Sequence, residues 1–481
     1  MAQPSIAVVG GGAAGSLVCA GLLRRCRAPI EITLIERSKQ LGRGLAFSAS
    51  SPRHWMNVPA GNMSCWPEAP NHFLEWARER QAQGSGCLAL LPPVRADSFL
   101  PRAIYGEYLA QQLAQARMEA PRGVTFNVIT QEAVDLHHNG RQALVLLQNG
   151  QVVFADQVVL ALGVLPSEYP VQKPLKFFSS QRYVHFAWNR DRWRGLEPDD
   201  EVLLVGQGLT SIDLALELAD RDHRGRIHLL SRRGFRPKEH RWEPPWRAFV
   251  DAKNLPATVR EAIRVVRANI KAAEASGAGF GWRSVLDSLR PVTPAIWQNW
   301  PMAERARFLR HLRPIWEAHR HRVCPEVGAW MQDLANSGRV HFLAGRIRNI
   351  VEESGVARVE YRDRRSQQIR ELRVAKVVNC TGPLTDYTKY QHPLLVSLLA
   401  QGIITHDPLA LGVEATADGM VKGFDHRPLP WLHTLGALLQ GVLWETVAIP
   451  EIRGQAARLA EVLAATVPAA SVEPNEVIQY D

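Results

Sequence analysis

Ile6-Ala7-Val8-Val9-Gly10-Gly11-Gly12-Ala13-Ala14-Gly15, continued by Ser16 to Arg25 and then by Ile30 to Ile35 and Glu36, decides the fold. Ile6 to Val9 is a short apolar run without a turn former, which predicts a buried parallel strand. The glycines form G-x-G-x-x-G in its required context of strand, tight turn, helix and second strand. Gly10 permits the turn, Gly12 lets the backbone approach a pyrophosphate, and Gly15 lets helix and strand pack closely. The helix start at Ala13 and Ala14 offers unpaired N–H groups to phosphates. Glu36, followed by Arg37, stands where a carboxylate accepts hydrogen bonds from ribose hydroxyls. Residues 1–23 carry no charge, but Arg24 and Arg25 follow the apolar run instead of preceding it, so a signal peptide is not expected.

Outward from this stretch, 481 residues suffice for two or three domains with full cores. An apolar fraction of 46% and a charged fraction of 22% fit a globular chain with no membrane partner, and a cytoplasmic location is expected. Six cysteines include no C-x-x-C pair, which argues against a disulfide framework, a zinc site or a dithiol reductase. The net charge of +10 brings no basic tail or nucleic-acid signature with it, and two anionic dinucleotides would offset part of it.

Glycine punctuation recurs. Leu41-Gly42-Arg43-Gly44 is a second turn from which Arg43 would reach phosphates, or else a plain surface loop. His54 to Pro67 contains Asn57, Asn62 and Met63 in an apolar, amide-bearing stretch without periodicity, suited to lining a flat aromatic ring. Phe99 to Leu109 opens an amphipathic helix. An internal repeat is more informative. Residues 124–163 read as strand, meander and buried strand ending at Gly163, and residues 340–382 repeat this, ending at Thr381-Gly382. Each copy follows its own glycine-rich unit. The second unit is Val202 to Val205, Gly206-Gln207-Gly208-Leu209-Thr210-Ser211, a helix, and a strand ending Ser231-Arg232-Arg233-Gly234. Ser211 replaces the third glycine. The acid is replaced by a hydroxyl and two guanidiniums, which suit a 2′-phosphate that a carboxylate would repel. Two sites with different ribose chemistry imply FAD at the first and NADPH at the second.

The fingerprint pair and the Ser231–Gly234 turn resemble the two-dinucleotide-binding flavoproteins and, within them, the class B flavin monooxygenases. Asn57-Val58-Pro59-Ala60, Pro101-Arg102-x-x-Tyr105-Gly106 and Leu443-Trp444-Glu445-Thr446-x-x-Ile449-Pro450-Glu451-Ile452-Arg453 narrow the resemblance. They look like a bacterial FAD/NAD(P)-binding protein family (YdhS-like) that includes aspartate N-monooxygenases forming nitrosuccinate. The resemblance covers nearly the whole chain and places Gly44, Met63, Gly163, Thr210, Thr381, Gly382, Trp444 and Thr446 among the cofactor contacts. It implies two Rossmann-like α/β domains, each with a β-meander. The FAD domain takes 1–165 and 375–481; the NADPH domain takes 166–239 and 339–374, interrupted by a helical insert at 240–338. It also implies that the helix after Pro450 points its N-terminus at the flavin.

Within the insert, residues 282–291 and 305–322 show helical periodicity. The second carries Arg305, Arg307, Arg310, Arg313, Arg320 and Arg322, which either grip an anionic substrate or form a solvated or interdomain face. His319 and His321 lack a third ligand for zinc, and no metal site is expected. Residues 464–481 read as a frayed tail.

The resemblance implies an NADPH-dependent FAD monooxygenase that N-hydroxylates a small amine or amino acid, with aspartate the named candidate, through a flavin C4a-hydroperoxide formed from O2. Asn57 and Asn62 are the candidate catalytic amides. Two alternatives fit the same residues: an NAD(P)H-dependent reductase serving a quinone or protein acceptor, and a redox sensor that merely holds the cofactors. The sequence is silent on oligomeric state.

Overall fold

The computed structural model describes residues 3–49, 51–171 and 176–466. The opening apolar run forms the strand Ser5–Val9, central in a six-stranded sheet. The order is Met420–Lys422, Pro428–Thr434, Gln157–Leu160, Ser5–Val9, Ile30–Ile35, Val124–Ile129, parallel except for the Met420–Lys422 edge. Alternate strand residues are buried on both faces. Ile6, Val8 and Ile32 meet the helices Ala13–Arg25, Arg102–Met118 and Ile449–Ala465, while Ala7 and Val9 meet the meander Ala133–Ala155. The C-terminal helix returns to the first domain because Gly21 admits it closely. A Cβ there would lie 2.9 Å from Ala460 Cβ.

The second sheet has seven strands, ordered Ile369–Val374, Val356–Asp363, Val340–Glu353, Ile227–Ser231, Val202–Val205, Lys376–Asn379, Tyr183–Val184. Its meander differs from the first in one respect. Val340–Glu353 is a single long strand whose first half runs parallel to Ile227–Ser231 and whose second half turns back antiparallel with Val356–Asp363. The α/β architecture with two dinucleotide-type sheets and two meanders is the expected one.

Two boundaries differ from expectation. Lys376–Asn379 pairs with Val202–Val205, so the second domain extends past 374 and the chain leaves it only after Asn379. The helix Pro325–Asn336 buries Val327, Met331 and Leu334 against the second sheet's core and belongs to that domain. A parallel bridge between Glu239 and Val323 closes the base of the insert, which is therefore residues 240–322. The arginine-rich stretch is also two helices, Met302–His311 and Arg313–Arg320. Pro314 opens the second, where its missing N–H costs nothing, and would break a continuous one. Ala464 and Ala465 lie in the last helix, while 467–481 fall outside the described residues.

Candidate functional site

The two glycine turns are geometric copies. Gly10 has φ 107° and Gly206 φ 131°. A Cβ at Gly10 would lie 2.4 Å from Ala161 O, and one at Gly206 2.2 Å from Cys380 O, so each turn is pressed against its domain's returning strand. Gly12 and Gly208 cap the following helices without any side-chain cap, leaving both N-termini open to an anion. The third position separates the copies. At Gly15 a Cβ would lie 1.9 Å from Gly10 O. Ser211 is accommodated, fully buried, with its hydroxyl donating to Gly208 O at 2.8 Å. Its hydroxyl thus braces the turn from within and is not turned toward a phosphate.

At the first site Glu36 accepts from the N–H groups of Gly11 (2.6 Å) and Ser38 (2.9 Å). Arg37 is exposed, 3.7 Å from Glu132. Gly42 N–H donates to Gly11 O at 2.9 Å, and Gly44 lies against Gly12, so the second turn folds over the first with Arg43 beside Gly106. At the second site Ser231 Oγ accepts from Gly234 N–H at 3.0 Å. Arg233 donates to Arg310 O at 3.0 Å, whereas Arg232 is exposed and makes no hydrogen bond or ion pair among the described residues. Thr210 is the second residue of the helix Leu209–Asp220. Gly163 and Gly382, both with positive φ, begin the crossings between the domains, which run side by side through a Leu165–Leu384 bridge. Thr381 donates to Asn379 Oδ1 at 2.8 Å.

A buried polar seam joins the domains. The helix Leu209–Asp220 presents Asp213, Glu217 and Asp220 at i, i+4 and i+7, one face of a helix. Arg102 pairs with Asp213 at 2.7 Å and donates through Nε to Trp55 O at 3.1 Å. Glu217 takes Arg192 and accepts from Trp193 Nε1 at 2.9 Å. Asp220 pairs with Arg53 at 2.8 Å and accepts from Ser51 Oγ at 2.6 Å. His54 Nε2–H donates to Asp213 O at 3.2 Å, which fixes its tautomer. Burial pushes the His54 imidazole down and the Asp213 carboxyl up, the latter against the pull of Arg102. In the sequence, the only trace of this seam is the spacing of acids along the apolar helix Leu209–Asp220.

The loop of residues 51–63 sits over the seam. Asn57 O accepts from His240 Nε2–H at 2.9 Å, while the Asn57 amide makes no hydrogen bond among the described residues. Burial, with Arg322 nearby, lowers His240 to about 4, so this imidazole stays neutral. Met63 is buried. Asn62 is exposed and is held through its carbonyl by Arg453 at 3.3 Å. A small cleft bounded by Trp55, Asn57, Arg102, Asp213, Cys324 and Val327 lies between the loop and the second domain. Five of the six cysteines are buried, and all six are unpaired.

Two observations at the insert bear on the expectations. Trp444 was expected at the cofactor, but its ring stacks on Trp297 at 5.0 Å and meets Phe308 edge-on, inside the insert's apolar cluster. Its backbone, φ 64° and ψ −63°, forms a γ-turn closed by Glu445 N–H to Leu443 O at 2.8 Å, which turns the side chain toward the insert. Thr446, two residues on, is buried with a hydroxyl that has no partner among the described residues. Of the two readings of the arginine stretch, the pairing favours the interdomain face, because these arginines pair with the chain itself. Arg320 holds Glu445 at 2.9 Å, Arg322 holds Asp287 at 2.8 Å, Arg313 holds Glu317 at 2.7 Å, and Arg305 donates to Trp300 O at 2.9 Å. No cluster of potential metal ligands occurs among the described residues, and no helix there is long and apolar enough to cross a membrane.

Known proteins share part of this sequence and its fold. Residues 7–165 match the family described as FAD-NAD(P)-binding. L-aspartate N-monooxygenase (nitrosuccinate-forming) of Streptomyces cremeus is 27% identical over 242 residues, 44% of this chain and 36% of that protein. The chain thus spans about a third of the curated relative it matches. Among solved structures, the ornithine N-hydroxylase of Kutzneria sp. 744 superposes with TM-score 0.62 at 15% identity, covering 96% of this chain and 99% of that one. The cadaverine monooxygenase of Erwinia amylovora gives 0.65 at 12% identity, covering 100% and 99%. The L-lysine 6-monooxygenase of Pseudomonas syringae gives 0.61 at 16%, covering 97% and 100%. The first third of the chain thus matches an FAD-NAD(P)-binding family, and along its whole length the chain has a fold similar to that of these monooxygenases.

Proposed function

We propose that the chain is an NADPH-dependent FAD monooxygenase that N-hydroxylates a small amine or amino acid with O2 as co-substrate. The observation that carries this reading is the polar seam from Ser51 to Arg102, buried at the Arg102–Asp213 pair, which fixes the NADPH domain against the loop holding Asn57. A hydroxylase benefits from keeping its oxidised nicotinamide beside the flavin, where it excludes water. A domain held by the buried Arg102–Asp213 pair and, at its edge, by the Arg53–Asp220 pair favours that retention. When bound, FAD takes a hydride from NADPH and activates O2. The protein's part is placement: the open helix N-termini at Gly12 and Gly208 receive the pyrophosphates, Glu36 the ribose hydroxyls of FAD, and Arg232 the 2′-phosphate. The Asn57 amide is the free polar group of the loop and is assigned to the reacting centre. Asn62, exposed, serves the rim.

Aspartate is the first substrate to test, on the strength of the curated relative. Arg313, Arg320 and Arg322 are committed to the chain's own carboxylates, so their use for a substrate carboxylate would require exchanging those pairs. The deciding experiment compares NADPH consumed, hydrogen peroxide released and nitrogen-oxidised product formed by the FAD-loaded protein across a panel of amines. One amine should suppress peroxide and yield product. Peroxide equal to NADPH with every amine would transfer the assignment to a reductase. Arg232→Ala should raise the KM for NADPH about tenfold relative to NADH, the loss of one charge-assisted contact at an exposed site. Equal changes for both nucleotides would refute the 2′-phosphate role.

A further inference from the structure

We propose that Gln207, the middle residue of the second glycine turn, is a specificity-determining residue whose side-chain carbonyl accepts a ribose hydroxyl of NADP(H), as an uncharged counterpart of Glu36. The inference rests on the NADPH reading of the second site. It starts from an exchange between the two turns. In the first, position 11 must be bare, since a Cβ at Gly11 would lie 2.8 Å from Glu36 Cβ; the acid occupies the notch. In the second, the strand-end residue shrinks to Ser231 and the notch is filled from the other side by Gln207, which is 3% exposed.

The amide's orientation follows from its partners. Nε2 donates to Leu229 O and to Leu343 O, each at 2.7 Å, bridging two neighbouring parallel strands. A flipped amide would set its oxygen against two carbonyl oxygens, so the hydrogen-bond network fixes the assignment. Both donors are then spent, and Oε1 is left buried with no partner among the described residues. A buried acceptor without a donor is costly, and here it lies at the carboxyl ends of the strands beside an uncapped helix N-terminus, where α/β sheets receive ligands. With the 2′-position phosphorylated, the remaining ribose donor is the 3′-hydroxyl. A neutral carbonyl can accept it without repelling the phosphate that Arg232 awaits, which a carboxylate in the same notch could not do.

The test is calorimetric titration of the FAD-loaded protein with 2′,5′-ADP and with ADP, which reads binding without turnover. Gln207→Met keeps the volume and loses the carbonyl, and it should weaken 2′,5′-ADP about tenfold. Gln207→Glu restores an acceptor that carries charge, and it should lower the preference for 2′,5′-ADP over ADP. A purely structural glutamine would instead lower the melting temperature of both variants while leaving affinities and preference as in the parent protein, and that result would overturn the proposal. Arg232→Ala in the same titration separates the two ideas. If it too leaves the preference intact, the NADPH assignment itself falls; if it abolishes the preference while the Gln207 variants behave as the parent, only Gln207 is misassigned.

Discussion

Arg102→Ala is expected to destabilise the protein by about 3–5 kcal/mol, the typical cost of stripping one partner from a buried ion pair. Arg102 is 15% and Asp213 5% exposed, and the pair closes at 2.7 Å. Burial already pushes the Asp213 carboxyl above its ordinary value, and Arg102 is the principal group pulling it back. Without the guanidinium, Asp213 would be held further up. The sign of the pH dependence follows. A carboxyl raised in the folded state binds more protons folded than unfolded between its two pKa values, so stability falls as pH rises through that window. The variant should therefore be closest to the parent near about pH 4 and progressively worse toward neutrality. Chemical denaturation across pH, with FAD content recorded at each point, measures both effects. Arg102→Leu combined with Asp213→Leu should recover much of the loss, because no charge is left stranded. A loss for Arg102→Ala below about 1 kcal/mol would show the pair behaving as a surface contact and would remove the seam as the fixed joint between the domains.

What the sequence disclosed, and what it withheld, divides along chain distance. Gly10, Gly12, Gly15, Gly206 and Gly208 were legible because the constraint on each is local: a strand must turn into a helix within a few residues. Glu36 and Ser231 were legible for the same reason, standing at the ends of strands that follow at fixed spacing. The seam is assembled from residues 51–54, 102 and 213–220, and no local pattern names those partners. The arginine helices left two readings open for the same cause. Their acids, Asp287 and Glu445, are supplied from other segments, one of them beyond the insert. The boundary at 374 could have been set correctly from the repeat, because Gln157–Leu160 returns to its own domain's sheet and Lys376–Asn379 does the same. Trp444 could not, since left-handed backbone at a tryptophan leaves no compositional trace.

That residue makes Trp297→Ala the second large effect. Trp297 is 1% exposed, stacks on Trp444, packs against Trp300 and Phe308, and donates through Nε1 to Gly441 O at 2.8 Å. Its removal empties the centre of the insert's cluster at a cost of about 3–5 kcal/mol and strands a buried carbonyl. The consequence extends beyond the insert. The γ-turn at Trp444 stores roughly 1–3 kcal/mol of backbone strain and persists because packing over-determines it. Once Trp297 is gone, that turn is free to relax, and it leads directly to the orphaned Thr446 hydroxyl and the helix Ile449–Ala465. Arg320 to Glu445 and Arg290 to Glu451, the latter at 2.6 Å, tie the same segment to the insert and would be strained in turn. The purified variant should therefore carry substoichiometric FAD as well as unfold earlier. Trp297→Phe, which keeps a ring against Trp444 but loses the N–H, should retain FAD and lose only about 1–1.5 kcal/mol. Full FAD occupancy in a destabilised Trp297→Ala protein would mean that the insert stabilises the fold without shaping the flavin side. Flavin loss out of proportion to the stability change would identify the insert as the support that holds Thr446 in place.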